Sequence, residues 1–205
     1  MLQNVHRLTA VVLAAFVALP ALAQSAGKEA TAAAVSIASI PLPVTNSAKD
    51  TEIAIARLLK DRLQLESFLK LVDDNPDNLR LLVTFRTDEK QGFPRVSAII
   101  DTAVVARDKD GNAVSQSIYI AATADITVKE ALTTKLLQWS NAWNARMLPI
   151  RVYISGGRIY TGAFVLGTIN EPATSNQVLS SFLSVVRAWP AVIRDLQANK
   201  FIPEK

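Results

Sequence analysis

Residues 151–164 carry five side chains whose chemistry suits the binding of a partner. The segment reads RVYISGGRIYTGAF, and arginine and tyrosine alternate with apolar residues on both sides of a Gly-Gly pair. Aromatic rings and guanidinium groups offer large contact areas and hydrogen-bond donors, and both are enriched in protein interfaces. The sequence therefore predicts a partner-binding surface formed by Arg151, Tyr153, Arg158, Tyr160 and Phe164.

Gly156-Gly157 explains how these five residues come to share one face. Two adjacent glycines fit a two-residue hairpin turn, because such a turn requires positive φ angles that glycine adopts at little cost. Side chains alternate between the faces of a strand, so all five candidates point to the same side of the hairpin. The expected register pairs Ser155 with Arg158, Tyr153 with Tyr160, and Arg151 with Gly162.

The same face is also compatible with a purely structural role. Cross-strand tyrosine and arginine pairs stabilise an ordinary exposed sheet face by about 0.2–1 kcal/mol each. A second subunit or another helix could equally cover the face. The opposite side of the hairpin is apolar and is expected to face a helix through Ile150, Val152, Ile154, Ile159 and Ala163.

Most enzyme chemistries are excluded by the residue inventory beyond position 23. The chain has no cysteine, and its only histidine is His6. Thiolate chemistry, disulfides, a histidine base for serine hydrolysis and a zinc site are therefore excluded. We predict a protein that is not an enzyme and that binds no cofactor and no metal. The carboxylates of Asp73-Asp74, Asp88-Glu89 and Asp101 leave a carboxylate-based hydrolase as a less favoured alternative.

The segment DKDGNA, residues 108–113, has alternating oxygen-bearing side chains that resemble the start of a calcium loop. A calcium loop needs glycine at its sixth position and glutamate at its twelfth, where this chain has Ala113 and Tyr119. A hairpin turn around Asp110-Gly111 is the better interpretation.

The first 23 residues have the three parts of a secretion signal. MLQNVHR is basic, LTAVVLAAFVALPALA is apolar, and Ala21-Leu22-Ala23 is a small-x-small cleavage site. Pro20 interrupts the apolar run, which is shorter than the roughly 20 residues that usually cross a bilayer. We expect cleavage after Ala23 and a periplasmic or secreted protein, with membrane association only if the signal is retained. The intact mass of the exported form tests this expectation.

Charge and composition also bear on the class of partner and on the division of the chain into segments. Loss of Arg7 with the signal lowers the net charge from +4 to +3, and charges of both signs are interspersed, so we predict no nucleic-acid partner. Residues 24–50 are rich in Ala, Ser and Pro and are predicted to form a flexible tether. Residues 51–198 are expected to form one domain, and residues 199–205 a C-terminal tail.

The periodicity of apolar residues predicts an α+β domain of order αβββαββα. A helix is expected from Thr51 to Val72, where Asp73-Asp74-Asn75-Pro76 should end it. Three strands follow in LRLLVTFR, RVSAIIDTAVVAR and VSQSIYIAA, and the hairpin at 150–164 completes a five-stranded antiparallel sheet.

Two further helices pack on this sheet. Thr127-Val128-Lys129-Glu130 has the pattern of a capping box, and the helix it begins should reach Met147 and bury Trp139 and Trp143. A second capping box starts at Thr174 and opens the last helix, which contains Trp189 and should kink at Pro190.

Residues 139–186, WSNAWNARMLPIRVYISGGRIYTGAFVLGTINEPATSNQVLSSFLSVV, resemble the C-terminal half of the YbjN domain family. Both have a helix that ends in an Asn-rich turn, an arginine-bearing strand, a turn, a second strand, and a polar stretch before a helix. In element order the resemblance extends over residues 50–198. It implies the αβββαββα fold that this family shares with type III secretion chaperones, and no catalytic residues.

The predicted function is that of a non-enzymatic periplasmic module that binds a protein or peptide, in a chaperone-like, sensory or regulatory role. Its partner is expected to be a polypeptide or a second copy of the chain. The export signal sets this protein apart from the cytoplasmic secretion chaperones, so effector binding is not carried over. The alternative is an envelope-associated structural protein tethered by its N-terminal segment.

Overall fold

The computed structural model describes residues 39–72, 75–84, 95–128, 133–146 and 150–202. Within these ranges it contains the helices Ala48–Leu63 (α1), Thr133–Asn144 (α2), Ser175–Arg187 (α3) and Trp189–Ala198 (α4). The strands are Ser67–Val72 (β1), Asn75–Thr84 (β2), Val96–Arg107 (β3), Ala113–Thr127 (β4), Arg151–Ser155 (β5) and Arg158–Thr168 (β6).

The described strands form one antiparallel sheet in the order β1-β2-β3-β4-β6-β5. Helix α1 packs on β1, β2 and β3, α2 packs on β5, and α3 packs on β4 and β6. Alternation along β3 shows which face they cover, because Val96, Ala98 and Ile100 are buried while the residues between them are not. The hydrophobic core therefore lies between the helices and one face of the sheet.

The predicted α+β class is confirmed, but the predicted count of five strands is wrong. Residues 67–72 form a sixth strand at the edge of the sheet, whereas the sequence interpretation placed them in the first helix. Helix α1 ends at Leu63, and Gln64 adopts a left-handed conformation with φ of 55°. Leu69 then pairs with Leu81 of β2. A short apolar segment such as SFLKLV can form either a helix or a strand, so its periodicity alone does not decide between the two.

The expected end of the first helix at residues 73–76 is wrong for the same reason. Asn75 and Pro76 are the first residues of β2, and Asp73 and Asp74 lie outside the described residues. This stretch, which has the composition of a turn, therefore lies between two strands and not between a helix and a strand.

The predicted tether at residues 24–50 is wrong for residues 39–50. Leu42 is buried, and its backbone N–H donates a hydrogen bond to the carbonyl of Ala173 at 2.7 Å. Helix α1 already begins at Ala48. Residues 24–38, like the predicted signal at residues 1–23, lie outside the described residues.

The predicted starts of the two later helices agree with the structure to different degrees. Helix α2 buries Trp139 and Trp143 as expected, but Thr127 is the last residue of β4 and Glu130 lies outside the described residues. The capping box at Thr174 is confirmed, because its hydroxyl accepts from the Gln177 N–H while the Gln177 side chain accepts from the Thr174 N–H.

Proline breaks the last helix where the sequence predicts a kink. Helix α3 ends at Arg187, and α4 begins at Trp189 with Pro190 in its first turn. Trp189 is almost fully buried, so the break lies inside the core. The predicted C-terminal tail is not free of the domain either, because Phe201 and Ile202 pack against the core.

A buried polar network joins the start of α1 to the sheet. Glu52 Oε1 accepts from the backbone N–H of Thr102 at 3.3 Å and lies 3.2 Å from the Thr102 hydroxyl. Glu52 Oε2 has no hydrogen-bond partner among the described residues. Burial raises the pKa of Glu52 to about 7, and the hydrogen bonds from Thr102 oppose this rise in part. The fold therefore carries a carboxyl group that charges near neutral pH at a cost in stability.

Glu52→Gln is expected to change the pH dependence of folding. Because the folded-state pKa of Glu52 lies above its ordinary value of 4.5, the contribution of this group to stability is fully present below pH 4.5 and is lost as the pH rises through about 7. Glutamine carries no charge, so the variant should gain roughly 2–3 kcal/mol relative to wild type between pH 4 and pH 8.5. Urea unfolding at both pH values measures this gain. The exposed Glu66→Gln variant is the control, and a pH-independent difference for Glu52→Gln would contradict the account.

Candidate functional site

The sheet face opposite the helices is the candidate site, and we call it the open face. Alternation along β6 defines it, since Ile159, Thr161, Ala163 and Val165 are buried on the helical side. On the open face, Phe164 is 73% exposed, Leu166 62% and Phe68 66%. Its principal residues are Phe68, Lys70, Arg80, Leu82, Ile99, Asp101, Tyr119, Arg151, Tyr153, Arg158, Tyr160, Gly162, Phe164 and Leu166.

The hairpin between β5 and β6 has the predicted register. Tyr153 pairs with Tyr160, and the turn residues Gly156 and Gly157 have φ angles of 55° and 73°. The two other predicted pairs, Ser155 with Arg158 and Arg151 with Gly162, are also present. All five sequence-predicted site residues therefore lie on the open face.

Four aromatic side chains on three strands form a cluster on this face. The rings of Tyr153 and Tyr160 stack with centroids 5.0 Å apart and an interplanar angle of 9°. Tyr119 of β4 lies 4.6 Å from Phe164 and 6.3 Å from Tyr153, measured between centroids. We call these four residues the aromatic cluster. Such contacts contribute about 0.5–1.5 kcal/mol per pair beyond the burial of their surface.

Gly162 provides the space in which the cluster lies. A Cβ atom at this position would be 3.2 Å from the hydroxyl of Tyr119 and 3.2 Å from Cε1 of Tyr153. These distances are shorter than ordinary van der Waals contact between such atoms. Tyr119 and Tyr153 therefore cover the glycine backbone, an arrangement that compensates for a missing side chain in a strand.

The two central phenols are protonated at neutral pH. Burial raises the pKa of Tyr153 and of Tyr119. The proximity of the two phenols raises the pKa of Tyr153 further and opposes part of the rise at Tyr119. The cluster therefore offers neutral rings and hydroxyls for contact, not a phenolate nucleophile.

A salt bridge flanks the aromatic cluster. Arg80 Nη2 lies 3.1 Å from Asp101 Oδ2, and Arg80 Nε donates to the same oxygen at 3.3 Å. Asp101 is the cross-strand neighbour of Tyr119. Asp101 is one of the carboxylates that the sequence offered for a hydrolase, and its side chain forms an ion pair with the Arg80 guanidinium group. The other candidate carboxylates, Asp73, Asp74, Asp88 and Glu89, lie outside the described residues.

An apolar row crosses the open face beside the salt bridge. Phe68 of β1, Leu82 of β2, Ile99 of β3 and Ala121 of β4 are successive cross-strand neighbours. Ala121 in turn pairs with Gly162 under the aromatic cluster. The open face thus combines an apolar row, an aromatic cluster and cationic side chains across the width of the sheet.

Sequence reasoning found the hairpin residues and missed those on the neighbouring strands. Tyr119 alternates with the buried residues Ile118 and Ile120, so its side of β4 can be read from the sequence. Its position beside Phe164 depends on the pairing of β4 with β6, two strands separated by α2 and β5. No local pattern encodes that pairing.

No protein-family model matches this chain, and no curated protein matches its sequence. The relationship to the YbjN family therefore stays a prediction, and the site is defined by its geometry. Among the described residues, no helix is long and apolar enough to span a membrane. The same residues contain no group of three or more side chains suited to hold a metal ion.

Gly162→Val is expected to destabilise the protein by about 1–3 kcal/mol, because the added side chain must displace Tyr119 and Tyr153. Denaturant unfolding measures this cost in a double-mutant cycle, which compares Gly162→Val with and without the two tyrosines. In a Tyr119→Ala, Tyr153→Ala background the cost of Gly162→Val should largely disappear.

Ala103→Val is the matched control. Ala103 of β3 also lies on the open face, and it is exposed, so it has room for a larger side chain. A Gly162→Val penalty that is the same with and without the two tyrosines would show that the rings do not depend on the glycine.

Proposed function

We propose that this protein is a non-enzymatic binding module that engages an acidic, partly apolar polypeptide through the open face. The observation that carries the proposal is the exposure of Phe68, Phe164 and Leu166, at 66%, 73% and 62%, on a sheet face that no helix or strand of the described residues covers. Monomeric proteins rarely expose extended apolar patches, and such patches commonly mark interaction sites.

The shape of the surface favours a polypeptide over a small molecule. Small-molecule sites are concave and enclose most of the ligand, whereas the open face is the outer surface of a sheet. The row from Phe68 to Gly162 crosses five strands, so it extends for roughly 20 Å at about 4.8 Å between strands. A segment of polypeptide has the length to contact both ends of this row.

The charges of the open face favour an acidic partner. The only described carboxylate in the defined set is Asp101, and it is paired with Arg80. The guanidinium group of Arg158 has no hydrogen-bond or ion-pair partner among the described residues, and it is exposed beside the aromatic cluster. Lys70 lies at the opposite end of the sheet on β1, the cross-strand neighbour of Arg80. Carboxylates on a partner would therefore meet unpaired cations at both ends.

The same charges make a second copy of the chain a less suitable partner. Two open faces stacked on each other would oppose cationic surfaces, with Asp101 already engaged on each. Like charges brought together across an interface reduce affinity. A different polypeptide that carries acidic residues avoids this repulsion.

Two further observations support a binding role. Beyond position 23 the sequence has neither histidine nor cysteine, which removes the residues most used in acid–base, nucleophilic and zinc chemistry. The resemblance to the YbjN family also supports the proposal, since the observed order contains αβββαββα with one added strand and a divided last helix. The N-terminal sequence supports export as the setting in which the partner is met.

The proposal is tested with fluorescent 15-residue peptides of matched length and apolar content that carry either four aspartates or four lysines. Fluorescence anisotropy should show that the acidic peptide binds and that the basic one does not. A Phe164→Ser, Leu166→Ser variant should bind the acidic peptide at least 10-fold more weakly. It should still unfold cooperatively in denaturant, with a loss of only about 0.5–1.5 kcal/mol from the missing Tyr119–Phe164 contact, because both side chains are exposed.

Leu137→Ser is the matched control, because Leu137 is 47% exposed but lies on α2, on the other side of the sheet. Equal binding of both peptides, or wild-type binding by the open-face variant, would contradict the proposal. Sedimentation of the isolated protein adds a second readout. Self-association that the open-face substitutions abolish would identify a second copy as the partner and would overturn the choice of an acidic polypeptide.

A further inference from the structure

A cavity of about 600 Å³ lies between α2 and the residues that follow α4, on the helical side of the sheet. Its apolar wall consists of Trp139, Trp143 and Phe201. The cavity is open to solvent, and its volume is in the range of sites for small ligands, which is about 300–1,000 Å³. This cavity is separate from the open face and plays no part in the function proposed above.

The apolar wall is built from aromatic rings that contact one another. The centroids of Trp139 and Trp143 are 5.7 Å apart, and that of Phe201 lies 6.1 Å from Trp139. Both tryptophans are 8% exposed, so they are core residues that present only part of their surface to the cavity. A flat ring or an alkyl chain would find continuous apolar contact on this wall.

The rim of the cavity is positively charged. Lys135, Arg146 and Lys200 line it, and no carboxylate within the described residues pairs with any of them. The one acidic lining residue is Asp195, and its Oδ2 accepts a hydrogen bond from Trp139 Nε1 at 2.5 Å. The charge of the lining residues therefore favours an anion, and the carboxylate present is already engaged.

The backbone of one lining residue, Lys200, has an unusual conformation. Lys200 adopts a left-handed conformation with φ of 59° at the end of α4. Glycine is the usual residue at this helix position, so lysine occupies it at a conformational cost, and the Lys200 side chain lines the cavity.

The geometry points to a binding site for a small amphipathic carboxylate. The apolar body of the ligand packs against Trp139, Trp143 and Phe201, and its carboxylate lies among the cations of the rim. Both a fatty acid and an aromatic carboxylate have this chemistry, because each joins one apolar body to one negative charge.

The test uses laurate and 1-naphthoate as probes, with dodecanol and 1-naphthalenemethanol as their neutral counterparts. Tryptophan fluorescence should change on addition of a carboxylate, because two of the three tryptophans of the chain line the cavity. Each neutral counterpart should bind at least 10-fold more weakly than its carboxylate. Binding of laurate alone identifies an acyl ligand, binding of 1-naphthoate alone identifies an aromatic one, and either result supports the site.

The variant that removes the cations is Lys135→Gln, Arg146→Gln, Lys200→Gly. It should lose at least 10-fold in affinity for the carboxylate while melting at or above the wild-type temperature, since glycine relieves the left-handed conformation at position 200. The control removes three cations from α1, as Lys49→Gln, Arg57→Gln, Arg62→Gln. Absence of carboxylate binding at millimolar concentration, equal affinity for the neutral counterparts, or wild-type affinity in the cavity variant would each overturn the proposal.

Discussion

A sheet that carries helices on one face must place residues of opposite character at successive positions of every central strand. In β3, the core receives Val96, Ala98 and Ile100, while Ser97, Ile99 and Asp101 lie on the other side. The same rule in β4 and β6 sends Tyr119 and Phe164 away from the helices. Because the side-chain period of a strand is two, a shift of one residue in any pairing would exchange the core and the open face.

The open face is stabilised by contacts among its own side chains rather than by a covering element of the described chain. The rings of Tyr153 and Tyr160 stack, and those of Tyr119 and Tyr153 contact each other. The Tyr119 and Tyr153 rings also cover the backbone of Gly162. These contacts reduce the exposure of the tyrosines but leave Phe164 largely in solvent. A partner on this face would therefore find rigid, prearranged rings and would lose little side-chain entropy on binding.

The sequence predicted best the features that local chemistry determines. Gly156-Gly157 sets the register of the hairpin without any help from the rest of the fold, and the Thr174 capping box and the break at Pro190 are equally local. The first helix was predicted too long because the short apolar segment around Phe68 and Leu69 is compatible with a helix or a strand. The choice depends on Leu69 meeting Leu81 in β2, which is a tertiary contact.

The other features that the sequence did not predict also depend on contacts with residues distant along the chain. The segment around Leu42 has the composition of a linker, yet its backbone finds a partner in Ala173 more than 100 residues away. Glu52 has the appearance of an ordinary surface residue of a helix, and only its contact with Thr102 in β3 shows that it is buried. In the candidate site, Tyr119 completes the aromatic cluster through the pairing of β4 with β6, which no local pattern predicts.

The central claim is that the open face is accessible in the isolated protein and is covered when a partner binds. Hydroxyl-radical footprinting with mass spectrometry tests it at the level of single side chains. In dilute purified protein, Phe164 should be oxidised rapidly and the buried Phe182 should not, in keeping with exposures of 73% and 0%. Addition of the acidic peptide should protect Phe164 while leaving the oxidation of Leu137 on α2 unchanged. Protection of Phe164 in the dilute protein without peptide would contradict the account, because the open face would then be part of a covered core.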